Sequence, residues 1–507
     1  MNPYQTEPSL LAIFLNSKQK ELLIKKQVSF PMIQAFLRKK EKIFQDIPIY
    51  SNYKFTDNIK IYQIPEDSER NFLFELLNYL PNSISGDPDI DEVYFVYLEG
   101  IFPLLDETLT LALKERHKKY LSQYSYSENL PIGIVPYFVS REFVLSLPEN
   151  LTQRVHEFFL KNINNYDTEI FYHPPDLRQF RLNFSLDSLR SIRFVQDVLS
   201  FNPNVSYTEL LDFIKAHPSS FRAFPSYIEL EIFKGCSYNC IFCPRTFADL
   251  SQDNQEMELI SFERILEELE RNFPSPFTLT FGGLGEPLLH SKFHAFLKTG
   301  LSSYLVEELI IETALYTSTK EFFQALRELG KELISKLTVI VNLPSVKGET
   351  YQALTKGNVG LEIILQNLNE LKNILPKENL YIQILKIQEV ELEIEEYFNY
   401  FEKEGYNVLL QKYNSYAGKM PERRVSDLTP IQREFCWHLA RDLYIRFDGE
   451  VLLCKQLPEK SLGNIQKDDL SIIWDRGLEY FSYSLLNFHD KIPAPCQNCD
   501  EWYTFNA

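Results

Sequence analysis

Three of the seven cysteines in this 507-residue chain fall within eight positions, in the stretch GCSYNCIFCPR that begins at Gly235. Their spacing, Cys236-x3-Cys240-x2-Cys243, puts three thiolates on one loop. Such a loop can hold three corners of a 4Fe–4S cluster and leave the fourth iron open to a small molecule. The competing reading is a zinc knuckle, which needs a fourth ligand nearby, and no His, Asp or Glu follows Cys243 until Asp249. The other four, Cys436, Cys454, Cys496 and Cys499, come late, and no cysteine precedes Cys236. A disulfide framework would not divide into three and four, nor would a reducing cytosol support it. Metal or cluster ligation accounts for both groups, although the paired late spacing also suits a structural zinc.

A second motif follows the triad. FGGLGEPLLH, from Phe281 to His290, ends an apolar run in Gly-Gly-x-Gly, which bares backbone N–H groups to a polar ligand. Glu286 comes directly after. Alone, this is an ordinary tight turn; beside three cysteines it points to a bound cofactor.

The elements that must position these motifs alternate. YIELEIF (Tyr227 to Phe233) reads as a strand leading into the cysteine loop. SFERILEELERNF (Ser261 to Phe273) reads as an amphipathic helix with Ser261 as its N-cap. FTLTF, ELIIE, LTVIV, LYIQILK and NVLLQ read as further strands separated by helical stretches. Six such units imply a parallel sheet, open or an incomplete barrel, with functional groups at the carboxyl ends of its strands. YIRFDGEVLLC (Tyr444 to Cys454) reads as a hairpin with a type I′ turn at Asp448-Gly449. LSIIWDRGLEYF after it reads as helical.

Together the motifs resemble the radical S-adenosylmethionine superfamily, whose signature is CxxxCxΦC with an aromatic, here Phe242, before the last cysteine. The resemblance implies an α/β fold: a partial (β/α)6 barrel over residues 227–420. Cys236, Cys240 and Cys243 would hold a 4Fe–4S cluster whose unique iron binds the methionyl group of S-adenosylmethionine. Gly283, Gly285 and Glu286 would line the methionyl amino group, Phe242 the adenine, and Asn342 would contact the cofactor from the fourth strand. Two motifs depart from the family: Pro344 stands where an Asp is usual, and Glu312-Thr313-Ala314 replaces Thr-Asn-Gly. The late cysteines, with Cys436-x12-Gly449-x4-Cys454, resemble a SPASM extension in its four-cysteine twitch form. That implies one auxiliary 4Fe–4S cluster within residues 421–507.

Only Gly86, Gly100 and Gly133 of the 17 glycines precede Gly235, so residues 1–215 form a compositionally distinct α/β domain, with a linker expected in HPSSFRAFPS (His217 to Ser226). VYFVYLEGIFPLLDETLT (Val93 to Thr110) and RLNFSLDSLRSIRFVQDVL (Arg181 to Leu199) resemble a degenerate sugar nucleotidyltransferase. Ile101 replaces the metal-binding Asp, and a hydrocarbon cannot bind magnesium. The combination resembles the spiro-SPASM proteins.

The function expected is reductive cleavage of S-adenosylmethionine to a 5′-deoxyadenosyl radical, which abstracts hydrogen from a peptide or sugar-like substrate. A flavodoxin or ferredoxin would supply the electron. The alternatives are a zinc-stabilised scaffold and a nucleotidyltransferase-like protein. A net charge of −18 argues against nucleic acid. No apolar run reaches membrane-spanning length, so a cytoplasmic location is expected. The acidic run from Asp249 to Glu258 reads as a solvated loop, and Tyr413 and Tyr416 as packing residues near the barrel mouth.

Overall fold

The computed structural model describes residues 7–81, 93–246, 254–317 and 319–502. Gly86 and Asp249, both singled out above, lie outside the described residues. The chain forms two compact units, Met1–Ala223 and Phe224–Ala507. The stretch expected to be a linker is instead largely buried: Ser220, Phe221, Arg222, Ala223 and Phe224 are each under a tenth exposed, and Pro218–Phe221 is helical. Its phenylalanines outweigh its prolines and serines.

The first unit is built on a seven-stranded mixed sheet. In chain order the strands are β1 (Leu11–Ile13), β2 (Ile49–Ser51), β3 (Ile61–Gln63), β4 (Tyr94–Leu98), β5 (Tyr124–Ser127), β6 (Tyr137–Ser140) and β7 (Thr168–Phe171). Their spatial order is β3-β2-β1-β4-β6-β5-β7, with β6 antiparallel to both neighbours. β1 and β4 are buried along their whole length, as strands covered on both faces must be. The order reverses between β1 and β4, the place where open α/β sheets bind ligands. Here that place is filled by protein. Gln19 donates its amide to the carbonyls of Glu99 and Ser185, and a Cβ on Gly100 would sit 2.5 Å from Gln19 Nε2. Ile101 is buried. Asp106 caps the helix Glu107–Tyr120 by accepting from Leu109 N, while its other oxygen accepts from Tyr207 N. Asp106→Ala strands both donors and is expected to cost about 2 kcal/mol. Urea unfolding of the first unit checks this; an unchanged midpoint would remove the double cap.

In the second unit six parallel strands follow one another in both sequence and space: β8 (Tyr227–Leu230), β11 (Phe277–Phe281), β12 (Val306–Thr313), β13 (Leu337–Asn342), β14 (Leu380–Lys386) and β15 (Asn407–Lys412). Two short strands, β9 (Phe233–Lys234) and β10 (Gln255–Glu256), pair outside this sheet. The first strand therefore stops at Leu230, three residues short of the end read from the sequence. Helices connect the six strands, and the alternating burial of β13 and β14 sets apolar side chains between sheet and helices. This is the expected α/β fold with a parallel sheet, and among the described residues no pairing closes it into a barrel.

The late segment continues the same sheet. β16 (Asp442–Ile445) runs parallel to β8, and β17 (Glu450–Leu452) and β18 (Ser461–Asn464) follow antiparallel. The hairpin turn differs from expectation. Gly449 N bonds Arg446 O, and Gly449 has φ +80° while Asp448 stays at negative φ. That is a three-residue loop with glycine in the left-handed position, not a two-residue type I′ turn. The helix expected from Ser261 starts earlier, at Leu259 with Glu258 before it, because Met257 N is pinned to Ile232 O. The later helix breaks at Gly477 into Leu470–Arg476 and Leu478–Leu485.

Candidate functional site

The cysteine loop leaves β9 through Gly235, whose φ of +130° suits a residue without a side chain. Asn239 N and Ile241 N donate to the carbonyls of Thr355 and Leu354, and Cys243 N to Cys240 O, so the loop is tied down at both ends. Arg245 donates to the carbonyls of Cys236 and Tyr238. All three thiols line one cavity of about 260 Å³. Burial, then the neighbouring Cys243 and Cys236, pushes the Cys240 thiol up; burial also raises Cys236. Thiols held in this state release protons when a metal takes them as thiolates.

The glycine motif reaches the same cavity from the end of β11. A Cβ on Gly285 would lie 1.7 Å from the Phe233 carbonyl oxygen, and Glu286 N donates to Gly235 O at 2.8 Å. The two motifs are thus pressed together backbone to backbone. Gly283 takes φ +91° under Glu231 and the Tyr444 hydroxyl. The Glu286 carboxylate is buried and committed: it accepts from Thr313 Oγ1 at 2.6 Å, Ala314 N at 2.9 Å and Leu288 N at 3.2 Å. Burial raises its pKa against the pull of those bonds. Thr313 and Ala314 belong to the altered Thr-Asn-Gly position, and their work here is to hold Glu286. Asn342 ends β13 on the cavity wall, its Oδ1 accepting from Gln383 Nε2, and Phe242 lines the same space. Ser345, beyond Pro344, donates to Glu393.

The other end of the cavity holds residues that sequence reasoning passed over. Lys455, directly after Cys454, sends Nζ to within 2.9 Å of Glu229 Oε2 on β8, and a third of its side chain stays open. Glu312 lines the cavity beside this pair with no hydrogen-bond partner among the described residues. Burial raises its pKa; Lys455 opposes and Glu229 adds to that rise. Glu231, just past the end of the strand that carries Glu229, is pushed up to about 7 by burial. The signal was present in YIELEIF: two carboxylates on an otherwise apolar strand need an account of what faces them. Tyr413, Tyr416 and Tyr444 also line the cavity, and Tyr413 donates its hydroxyl to Pro421 O.

The four late cysteines gather separately. Cys436 precedes the helix Trp437–Arg441, Cys454 follows β17, and Cys496 lies in the helix Ala494–Gln497. Burial and then Cys454, Cys499 and Cys496 together raise Cys436, so all four share one neighbourhood. Trp502 closes it, donating Nε1 to Cys496 O. Among the described residues no three His, Cys, Asp or Glu side chains converge tightly enough to grip a single metal ion. A four-iron cluster is wider than one ion; the first three thiols line one cavity, and the late four are electrostatic neighbours of one another.

Residues 230–401 match the model of the radical SAM superfamily, and residues 436–500 match SPASM, an iron-sulfur cluster-binding domain. The chain thus carries a radical SAM domain followed by a SPASM domain, and the first of these marks it as an enzyme. Radical SAM enzymes carry a 4Fe–4S cluster and S-adenosylmethionine and need a reductant and a substrate, and the second domain adds auxiliary iron-sulfur binding. An uncharacterised protein of Treponema pallidum (strain Nichols) is 28% identical over 375 residues, 70% of this chain and 99% of that protein. Among solved structures, SuiB of Streptococcus suis bound to S-adenosylmethionine is similar at TM-score 0.42 and 16% identity, over 60% of this chain and 79% of that one. BtrN with AdoMet and 2-DOIA is similar at TM-score 0.38 and 19% identity, over 55% and 97%. The first unit matches neither family model, and its expected nucleotidyltransferase likeness is not confirmed. No helix among the described residues is long and apolar enough to cross a membrane.

Two outcomes follow from this geometry. Gly285→Ala drives a methyl group into the Phe233 carbonyl and is expected to cost about 3 kcal/mol or more, read by thermal or denaturant unfolding; a neutral effect would mean the two motifs are not in contact. Glu231 has its folded pKa raised from 4.5 to about 7. The unfolded chain therefore ionises first, and the Glu231 contribution to stability falls as pH rises between those values, by about 3 kcal/mol. Glu231→Gln should lose this share of the slope; parallel stability curves for the two proteins would contradict it.

Proposed function

We propose that Cys236, Cys240 and Cys243 hold a 4Fe–4S cluster with one open iron, and that S-adenosylmethionine binds between it and the Gly283–Glu286 turn. The observation that carries this reading is the single cavity uniting the three thiols with that turn. When bound, cluster and cofactor supply one-electron cleavage to methionine and a 5′-deoxyadenosyl radical, which takes hydrogen from the substrate. The chain's own residues bind and orient. Gly283 admits the cofactor close to backbone, since any side chain there would meet Glu231 and Tyr444. Glu286 fixes the turn, its N–H bonded to Gly235 O while its carboxylate braces the end of β12. Phe242 offers a flat apolar face for the adenine, and Asn342 a polar contact on the fourth strand.

The substrate end is Glu229, Glu312 and Lys455. An open carboxylate beside an ammonium–carboxylate pair suits a substrate whose reacting carbon bears a hydroxyl or amino group. Glu312, held toward its neutral form by burial, and Lys455 Nζ are the groups placed to exchange a proton with it. Cys436, Cys454, Cys496 and Cys499 hold one auxiliary 4Fe–4S cluster, with the electron drawn from a flavodoxin or ferredoxin. The first unit, with its crevice occupied by Gln19 and Ser185, is a degenerate transferase-like fold that does no nucleotide chemistry.

Anaerobic reconstitution of the full chain is expected to give about eight irons per chain and 5′-deoxyadenosine from S-adenosylmethionine under reduction. Cys240→Ala should remove about half the iron and all of that product. Cys454→Ala should lose the other half yet keep cofactor cleavage. Stoichiometric zinc in place of iron, with no 5′-deoxyadenosine, would overturn the proposal in favour of a scaffold.

A further inference from the structure

Tyr316 follows β12 by three residues and reaches back over the cysteine loop. Its hydroxyl oxygen lies 3.2 Å from Cys236 Sγ and accepts from Ser237 N at 2.8 Å. Because Ser237 already donates to that oxygen, the one hydroxyl proton is left to point at sulfur. A cysteine that ligates iron has no proton of its own, so in the loaded state the tyrosine must be the donor. The ring is held for this task. It stacks on Tyr238 with centroids 4.1 Å apart and planes 18° apart, and the Tyr238 hydroxyl meets that of Tyr351 at 2.9 Å. Gly357 leaves room for the stack, since a Cβ there would strike the Tyr238 ring at 2.3 Å. Tyr238 itself is positioned by Arg245, which donates to its carbonyl and to that of Cys236.

We propose that Tyr316 sets the reduction potential of the cluster held by Cys236, Cys240 and Cys243, by donating a hydrogen bond to one of its thiolate ligands. This rests on the assignment of that cluster to the triad. Reduction adds one electron from a low-potential donor and leaves every bond in place, but it deepens the negative charge on the sulfurs. A donor aimed at sulfur therefore stabilises the reduced form and raises the midpoint. Tyr316 touches neither substrate nor cofactor in this role and acts through Cys236, as a positioning residue.

The test is an EPR-monitored redox titration of the reconstituted full chain, following the signal that changes when S-adenosylmethionine is added. Tyr316→Phe keeps the stack and removes the donor. It is expected to make reduction about tenfold less favourable, which for one electron is about 59 mV more negative. Tyr351→Phe, which cuts a hydroxyl contact without touching sulfur, should leave the midpoint in place. If Tyr316→Phe fails to retain iron, 3-fluorotyrosine at position 316 preserves shape, strengthens the donor and should raise the midpoint. An unchanged midpoint with a responsive signal, or an equal shift in Tyr351→Phe, overturns the role of Tyr316 alone. Absence of any signal responding to S-adenosylmethionine overturns the cluster assignment and this inference with it.

Discussion

Gly285 lies against the carbonyl oxygen of Phe233 at a distance no Cβ could tolerate, and Glu286 donates its N–H to Gly235 beside it. This pair of backbone contacts clamps the glycine turn of β11 onto the start of the cysteine loop. Neither segment is regular structure, so neither could be placed by its own hydrogen-bond ladder. Pressing one backbone onto the other, and tying the far side of the loop to the carbonyls of Leu354 and Thr355, fixes the three thiols relative to the turn. The buried Glu286 carboxylate extends the clamp to a third strand through Thr313 and Ala314. Buried and fully hydrogen-bonded, it is the kind of polar group that specifies one arrangement.

The late segment is joined to this core by the sheet itself. β16 pairs with β8 and brings Lys455 from the hairpin to Glu229 on the first strand of the parallel sheet. A partly buried ion pair of this sort adds little net stability, since desolvation offsets most of the attraction. What it provides is register: one lysine links the neighbourhood of Cys454 to the wall of the cavity. The strand that carries Glu229 and the hairpin that presents Cys454, far apart in sequence, are thereby parts of one continuous sheet.

The first unit follows a different logic. Its strands turn about β1 and β4 as a ligand-binding sheet would, yet Gln19, Gly100 and Ser185 interlock where a ligand would lie. Asp106 spends both oxygens on backbone donors. Its polar groups serve the fold.

Cysteine spacing, the Gly-Gly-x-Gly-Glu run and the alternation of apolar strands with amphipathic helices were legible in the chain alone, because each is local: a ligand loop, a turn and a periodicity are written within a few residues. The six parallel strands agree closely with their apolar runs for that reason. Details that depend on neighbours were not. Ser261 lost its capping place when Met257 was pinned by Ile232, and the Asp448-Gly449 turn took a three-residue form set by the pairing of β16 with β17. Glu229, Glu312, Lys455 and Tyr316 became site residues only through tertiary structure, since an isolated Glu or Tyr carries no spacing signal. Each gains its meaning from a partner brought near by folding, 226 positions away for Lys455 and Glu229 and 80 for Tyr316 and Cys236.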